Sequence, residues 1–453
     1  MFQKLTSLLG SHKVFEPADV DQAWLQDQRG RFTSAPLAVV FPHSQDDVVR
    51  LVRFCCDHNL SVVPQGGNTG LVGGAVAGGD RQILVNFSGM NRIRALYPQD
   101  RVVVAEAGCT LLQINDAAKD HDLRFPLGLS VADRCRLGGN IATNAGGINV
   151  LRHGMTRHLI YGIEGVLADG TPLNHLVRVP KNNVGFDVAQ LFIGTEGTLG
   201  LITAATLKLV SLPQNTISVM VGCQDLVFAT SLLHRLLGQT ADNVESFEIM
   251  SREALDLVVQ HRGIAVPLKT KAPWVILTQI ILPHFVSPEE AVVALTQSLK
   301  AEDVALAMTQ EDQKTLWYPR RELPWVQGPS IKHDVAVPLS ELPSFLETTQ
   351  TLLARAVPGI RPIIFGHMGD GNLHYNLLPP LGQAPETFLD QAPQLHDLVY
   401  TQVMRHHGSI SAEHGLGRLK KTLYHHYADA GVLAATQRIK QIMDPHHRLN
   451  PEL

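Results

Sequence analysis

Little in these 453 residues points to a polymeric ligand or to a membrane. Lys and Arg number 38 against 42 Asp and Glu, the formal charge is −4, and no block of like charge occurs. Nucleic acid would call for a basic stripe, so it is excluded as a partner. No apolar run approaches the ~20 residues that cross a bilayer, so no transmembrane segment is expected. The opening MFQKLTSLLGSHKVFEP has too short an apolar stretch for a secretory signal. The cytoplasm is the expected location, or the mitochondrial matrix if the source is eukaryotic. Cysteine is scarce: Cys55, Cys56, Cys109, Cys135 and Cys223 form neither a CxxC nor an even framework. That argues against a disulfide scaffold and a thiolate metal site. Aromatics make up 6%, so aliphatic residues fill the core. Internal repeats and low-complexity tracts are absent.

The length exceeds a single core, which stops growing near ~250–300 residues, so several domains are expected. Residues 1–35 read as a short lead-in and 36–213 as an α/β domain, with β-branched runs such as SVVPQ, QILVNF, RVVVAEAG and YGIEGVLADG between glycine-rich loops. Residues 214–387 alternate helical patterns with the β runs TISVMVG, PWVILTQIIL, SIKHDVAVPL, PIIFGHM and LHYNLL, the pattern of an antiparallel sheet in an α+β domain. Residues 388–453 return to helix.

What the chain does have is glycine, 37 in all. The run Pro64-Gln65-Gly66-Gly67-Asn68-Thr69-Gly70-Leu71-Val72-Gly73-Gly74 follows a β run. Bare backbone there forms a nest suited to a pyrophosphate. It matches neither GxGxxG nor GxxxxGK[ST], so the Rossmann and Walker readings do not apply. Similar clusters lie at Gly138-Gly139-Asn140-Ile141-Ala142-Thr143-Asn144-Ala145-Gly146-Gly147 and Gly194-Thr195-Glu196-Gly197-Thr198-Leu199-Gly200. Any one could be a tight turn. Three in one domain favour an extended cofactor.

A second signal is Phe365-Gly366-His367-Met368-Gly369-Asp370-Gly371-Asn372-Leu373-His374-Tyr375-Asn376. Asp-Gly is a strong two-residue hairpin turn. If Asp370 and Gly371 form it, His367 faces His374 with Cβ atoms ~4.5–5.5 Å apart, close enough to share a metal ion. With 21 histidines in the chain a chance pair is cheap, but Glu413-His414-Gly415 downstream supplies a carboxylate. Two imidazoles and a carboxylate form a ligand set that leaves a position open for substrate. In Ser330-Ile331-Lys332-His333-Asp334-Val335-Ala336-Val337, strand alternation puts Ile331, His333, Val335 and Val337 on one face and Lys332 and Asp334 on the other.

From about residue 36 to the C-terminus these motifs, in order and spacing, resemble the vanillyl-alcohol oxidase / p-cresol methylhydroxylase superfamily. Within it they are similar to the D-lactate and D-2-hydroxyglutarate dehydrogenase branch. The resemblance implies an α+β protein: a two-subdomain FAD-binding domain of the p-cresol methylhydroxylase type, a substrate domain with an antiparallel sheet, and a helical C-terminal segment completing the active site. It implies that Pro64, Gly66, Gly67, Asn68, Thr69, Gly70 and Leu71 wrap the FAD pyrophosphate. Pro126, Gly128, Ser130, Gly138, Gly139, Asn140, Thr143, Asn144 and Gly147 would line the rest, with Ile202 at the adenine side and Asn450 over the flavin. Members with covalent flavin carry a histidine in the first loop; Asn68 and Thr69 stand there, so noncovalent FAD is expected.

The same resemblance implies His367, His374 and Glu413 as ligands of a divalent metal, usually zinc, and His414 as a general base touching the substrate. It puts Lys332, Asn376 and an arginine at the substrate. Counting from Trp317 selects Arg320, whereas the following Glu322 selects Arg321; Arg321 is taken. Pro324 and Trp325 stand where a threonine is expected, which leaves the hydroxy acid open and gives Trp325 as a wall of the pocket. The expected reaction is oxidation of a small D-2-hydroxy acid to the 2-keto acid, with hydride passing to flavin N5. An electron-transfer flavoprotein or quinone would take the electrons, and a homodimer is expected. A glycolate-type oxidase using oxygen, a zinc hydrolase and a non-catalytic flavin-binding subunit are the alternatives.

Overall fold

The helix Gln45–His58 shows how the first half is built. Ser44 caps it, accepting a hydrogen bond from Asp47 N, and Asn59 ends it in the left-handed region at φ 51°. Val48, Leu51, Val52 and Cys55 recur at helical spacing as its buried stripe. That stripe shares a core with Val40, Val62, Ile83 and Val85, which come from the first sheet. The computed structural model describes residues 1–453 except the side chain at position 298.

Strands β1 (Val14–Phe15), β2 (Ala38–Val40), β3 (Ser61–Gln65) and β4 (Gln82–Asn86) form that sheet in the order β1-β2-β4-β3, with parallel pairing except at β1. A second, antiparallel sheet has the order β5-β6-β10-β8-β9, from β5 (Ile93–Tyr97), β6 (Val102–Glu106), β8 (Ile160–Val166), β9 (Pro172–His175) and β10 (Leu201–Lys208). Two short strands, β7 (Leu123–Arg124) and β11 (Val210–Ser211), pair separately. An ion-pair ladder crosses the second sheet. Fully buried Glu106 is held by Arg92 at 2.8 Å and Arg94 at 3.2 Å, and Arg94 reaches Glu164 at 2.7 Å.

The chain divides into two compact units. One comprises residues 1–147, 153–212 and 413–453, the other 148–152 and 213–412. The helical segment expected from residue 388 onward is therefore split. Ser409 exchanges backbone hydrogen bonds with Ala336 at 3.0 and 2.7 Å, which ties the chain just before Ala412 to the second unit. Beyond it, Leu416 N and Gly417 N bond to Glu196 of the first unit. The lead-in belongs to the first unit.

The second unit is built on an antiparallel sheet of seven strands, β12 (Asn215–Cys223), β13 (Val244–Ser251), β14 (Trp274–Leu282), β15 (Val304–Ala307), β16 (Asp334–Ala336), β17 (Arg361–Gly366) and β18 (Asn372–Leu378). Their order is β15-β12-β14-β13-β17-β18-β16. The sequence marked five β runs here and missed β13 and β15. Strand β13 reads VESFEIMS; its two glutamates and two serines disguise a strand whose eight residues are all buried. The helices Arg252–Arg262 and Gln310–Val326 contribute to a core with Met250, Leu277 and Phe365 of this sheet. The second helix runs through Pro319 and Pro324, each lacking the N–H that would bond one turn back. Among the described residues no helix is long and apolar enough to cross a membrane.

Candidate flavin cleft and histidine site

In the first unit the three glycine clusters converge on one solvent-open cleft. Their glycines are required for two different reasons. A Cβ on Gly67 would stand 2.1 Å from Arg134 O, and one on Gly197 (φ +76°) 2.3 Å from Pro64 Cγ. Gly67 lets its loop pack on backbone, and Gly197 lets its loop pack on the Pro64 ring. A Cβ on Gly70 would meet nothing within 4 Å, so the approach to the cleft is open there.

Pro64, Gly66, Gly67, Asn68, Thr69, Gly70, Gly138, Gly139, Asn140, Thr143 and Ile202 line this cleft. Leu71, Pro126, Gly128, Ser130, Asn144, Gly147 and Asn450 stand outside its lining, several for a visible reason. A Cβ on Gly147 would lie 2.2 Å from Gly128 O, so these two segments pack on each other. Asn144 accepts a hydrogen bond from Arg157 N at 3.0 Å. Asn450 donates to Gly74 O at 2.9 Å and Glu196 O at 2.7 Å, tying two loops together. The side chain of Asn68 is also committed, donating to Ala23 O and Gln26 O at 2.8 and 2.7 Å. Thus the lead-in holds the first glycine loop.

Arg136 and Glu196 are among the lining residues that sequence reasoning did not assign to the cofactor. Arg136, at the flank of the second cluster, donates to Gly108 O at 2.8 Å, while its buried Nε has no hydrogen-bond partner. Glu196 adopts φ +51° and accepts from Leu416 N at 2.7 Å and Gly417 N at 3.0 Å. Burial pushes its carboxyl pKa up, and these N–H groups offset only part of that. Glu196 thereby holds the segment that follows Glu413 and His414. His414 lines the cleft, and its Nε2 is 3.5 Å from Glu413 Oε1. Bare backbone, one guanidinium with an unpartnered nitrogen, and apolar patches at Phe87, Val72 and Leu201 fit a dinucleotide carrying a flat ring.

The second unit gathers the histidines. The 3₁₀ turn Met368–Asp370 joins β17 to β18, and the register sets Phe365 opposite His374 and Ile364 opposite Tyr375. The expected pairing of His367 with His374 therefore does not form. Asp370 stays out of the left-handed region that a two-residue Asp-Gly turn needs, and only Gly371 (φ +80°) enters it. The two imidazoles still come together, with ring centroids 5.7 Å apart at 75°. On its other side His374 pairs with Asp334 of β16, whose Oδ1 accepts from Asn372 Nδ2 at 3.0 Å. The bridge from Ile331 to Leu377 continues that register. Lys332 and Asp334 thus share a face with His374 and Asn376, while His333 and Val335 are buried on the other.

Glu248 organises this face. It is fully buried on β13, where Ile249 pairs with Gly366 and Met250 with Phe365, so the same register runs on to set Glu248 against His367. His367 Nδ1 lies 2.6 Å from Glu248 Oε1, and Arg320 Nε donates to Glu248 Oε2 at 2.7 Å. Burial alone would raise the Glu248 carboxyl pKa, but His367 and Arg320 outweigh it and the net direction is down. Arg320 also lies 5.0 Å above the Phe365 ring. The next residue goes elsewhere: Arg321 is exposed and donates to Lys314 O at 2.6 Å. Between the two arginines, helix phase favours Arg320 and not the one chosen from sequence.

Two further expectations change. Asn376 donates to Gln327 Oε1 at 2.7 Å and accepts from His333 N at 3.3 Å, so its amide is engaged in the scaffold. Trp325 is 74% exposed and forms no wall within this unit. The donor set fits a divalent cation: His367 is oriented by a carboxylate through Nδ1, which leaves Nε2 for a metal, and a second imidazole stands beside it.

Comparison with known proteins agrees with both halves. Residues 212–453 match the family of FAD linked oxidases, C-terminal domain, and residues 36–175 match an FAD binding domain. D-2-hydroxyglutarate dehydrogenase of Stutzerimonas stutzeri is 31% identical over 100% of this chain and 98% of its own length. The mitochondrial D-2-hydroxyglutarate dehydrogenase of Bos taurus is 33% identical over 96% of this chain and 79% of its own. The fold of p-cresol methylhydroxylase superposes with a TM-score of 0.74 at 17% identity, covering 100% of this chain and 95% of that one. The glycine-loop cleft and the full-length kinship together make this chain a member of the FAD-linked oxidase family, an FAD-dependent dehydrogenase of its D-2-hydroxy-acid branch.

Proposed function

We propose that the protein oxidises a small D-2-hydroxy acid to the corresponding 2-keto acid, using noncovalent FAD and a divalent cation, zinc by its donor set. D-2-hydroxyglutarate is the first acid to test, because two full-length relatives carry its name. The observation that carries this reading is the meeting of His367 and Arg320 on one buried carboxylate, with His374 beside them. It joins groups suited to a cation and to a substrate carboxylate on a single sheet face.

When bound, FAD would supply the two-electron acceptor for the hydride on C2, and a divalent cation would supply a Lewis acid for the hydroxyl. The chain supplies the rest. His367 and His374 would hold the cation, with Glu413 as the third ligand that the sequence motif adds. Arg320 and Lys332 would grip carboxylate oxygens; a guanidinium anchored through Nε keeps its outer N–H groups for that purpose. His414 would take the hydroxyl proton. The glycine loops and Arg136 would bind the pyrophosphate. An electron-transfer flavoprotein or a quinone would reoxidise the flavin.

The test is anaerobic bleaching of the bound flavin by a panel of D- and L-2-hydroxy acids, before and after chelation. Bleaching by D-acids that chelator abolishes and added metal restores is the expected result. A colourless protein, or reduction by L-acids alone, would overturn the proposal, and stoichiometric peroxide in air would make it an oxidase.

A further inference from the structure

Glu248 serves neither as a ligand nor as a substrate group in the scheme above, yet it is the fully buried carboxylate that both sides of that scheme touch. An ionised carboxylate can only accept hydrogen bonds. The 2.6 Å contact therefore puts the His367 proton on Nδ1 and makes Nε2 the unprotonated ring nitrogen. The second oxygen is taken by Arg320 Nε at 2.7 Å, which sets the plane of the guanidinium. Glu248 meets His367 because the β13–β17 register, with Ile249 on Gly366, runs one step further.

We infer that Glu248 is a positioning residue that fixes the tautomer and orientation of His367 for a divalent cation and at the same time aims Arg320 at the substrate carboxylate. The inference rests on the reading of His367 as a ligand and adds to it a mechanical link. One carboxylate sets both the cation affinity and the grip on substrate. The Arg320 guanidinium balances the charge of the buried carboxylate.

The experiment measures the zinc dissociation constant of the FAD-loaded protein by competition with a fluorescent chelator, in wild type, Glu248→Gln, Glu248→Asp and Arg320→Met. An amide at 248 still fills the space but can present its NH2 group to His367 or Arg320. Glu248→Gln should bind zinc roughly 10–100-fold more weakly, the loss typical when a histidine ligand's carboxylate partner is removed, with flavin content unchanged. Arg320→Met should raise KM for the hydroxy acid while zinc affinity stays within about threefold, a split that a merely structural role would not produce. Should Glu248→Gln not fold, Glu248→Asp, which keeps the charge beside Arg320, carries the test and should also weaken zinc. Zinc affinity equal to wild type in whichever Glu248 variant folds would overturn the inference. A wild-type protein that binds no zinc would instead defeat the reading of His367 and His374 as ligands, so the two failures are distinguishable.

Discussion

His374 stands directly across the hairpin from Phe365, not from His367, yet its ring comes within 5.7 Å of the His367 ring. The turn Met368–Asp370 is longer than an Asp-Gly hairpin and brings His367 back toward β18 after β17 has ended. Replacing His374 with alanine should therefore remove the cation and leave the flavin. We expect an unchanged visible flavin spectrum, loss of most bound metal by elemental analysis, and turnover at least ~100-fold lower, the range for losing a group that stabilises developing charge. Full metal content in that variant would refute the ligand assignment.

Arg320 and Arg321 are neighbours with opposite fates. Arg320→Ala strips the cation from buried Glu248, and breaking a buried pair from one side costs about 3–5 kcal/mol. Arg321→Ala, on the exposed face, should shift stability by no more than about 0.5 kcal/mol. Denaturant unfolding and kcat/KM with a D-2-hydroxy acid check the pair. Equal effects in both variants would contradict the assignment of Arg320.

Gly67 has no room for a methyl group, since its Cβ would lie 2.1 Å from Arg134 O. Gly67→Ala must push the first and second glycine loops apart, and we expect flavin to be lost on gel filtration. Gly70→Ala, where nothing lies within 4 Å, should leave the loops packed and weaken flavin only through contact with the cofactor itself. Retention of flavin by Gly67→Ala would show that the cleft does not depend on that loop contact.

Glu196 makes a prediction about the acid-to-neutral range. Its carboxyl pKa is raised above the ordinary 4.5 by burial, so the folded state holds this proton more tightly than the unfolded chain. Its contribution to stability is complete below the unfolded value and is lost as pH rises through the folded one. Glu196→Gln removes that loss. The stability of the variant relative to wild type, from urea unfolding, should improve as pH increases from below 4.5 toward neutrality. A difference independent of pH would rule out a raised Glu196 pKa.

Glu106 makes the converse prediction. Burial opposes ionisation, but the hydrogen bonds and charges of Arg92 and Arg94 prevail and hold its carboxyl below 4.5. Its contribution is present above the unfolded value and disappears as pH falls through the folded one. Glu106→Gln should be less stable than wild type at neutral pH, with the gap closing under acid.

The glycine clusters, the His-x6-His segment and the Glu413-His414 pair were legible in the sequence because the chemistry they serve needs particular residue types at short spacing. Four strands of the first half, β3, β4, β6 and β8, were legible because β-branched runs lie between glycines. Strand β13 was not, because its glutamates and serines look like solvent-facing polarity. Their burial depends on β14 and β17, which pair with it from far along the chain.

By itself the sequence determined the α+β class, the flavin-type glycine loops and the candidate ligands His367, His374 and Glu413, all properties of residue identity over a few neighbouring positions. Only the tertiary structure decided which arginine meets the histidines, that Phe365 rather than His367 faces His374, and that Glu248 joins Arg320 to His367. The second turns on the length of the turn Met368–Asp370. The first and third turn on helix phase and strand register between segments 72 and 119 residues apart. A one-residue slip of register carries a strand's side chains to its opposite face, and no local pattern records pairing over that distance.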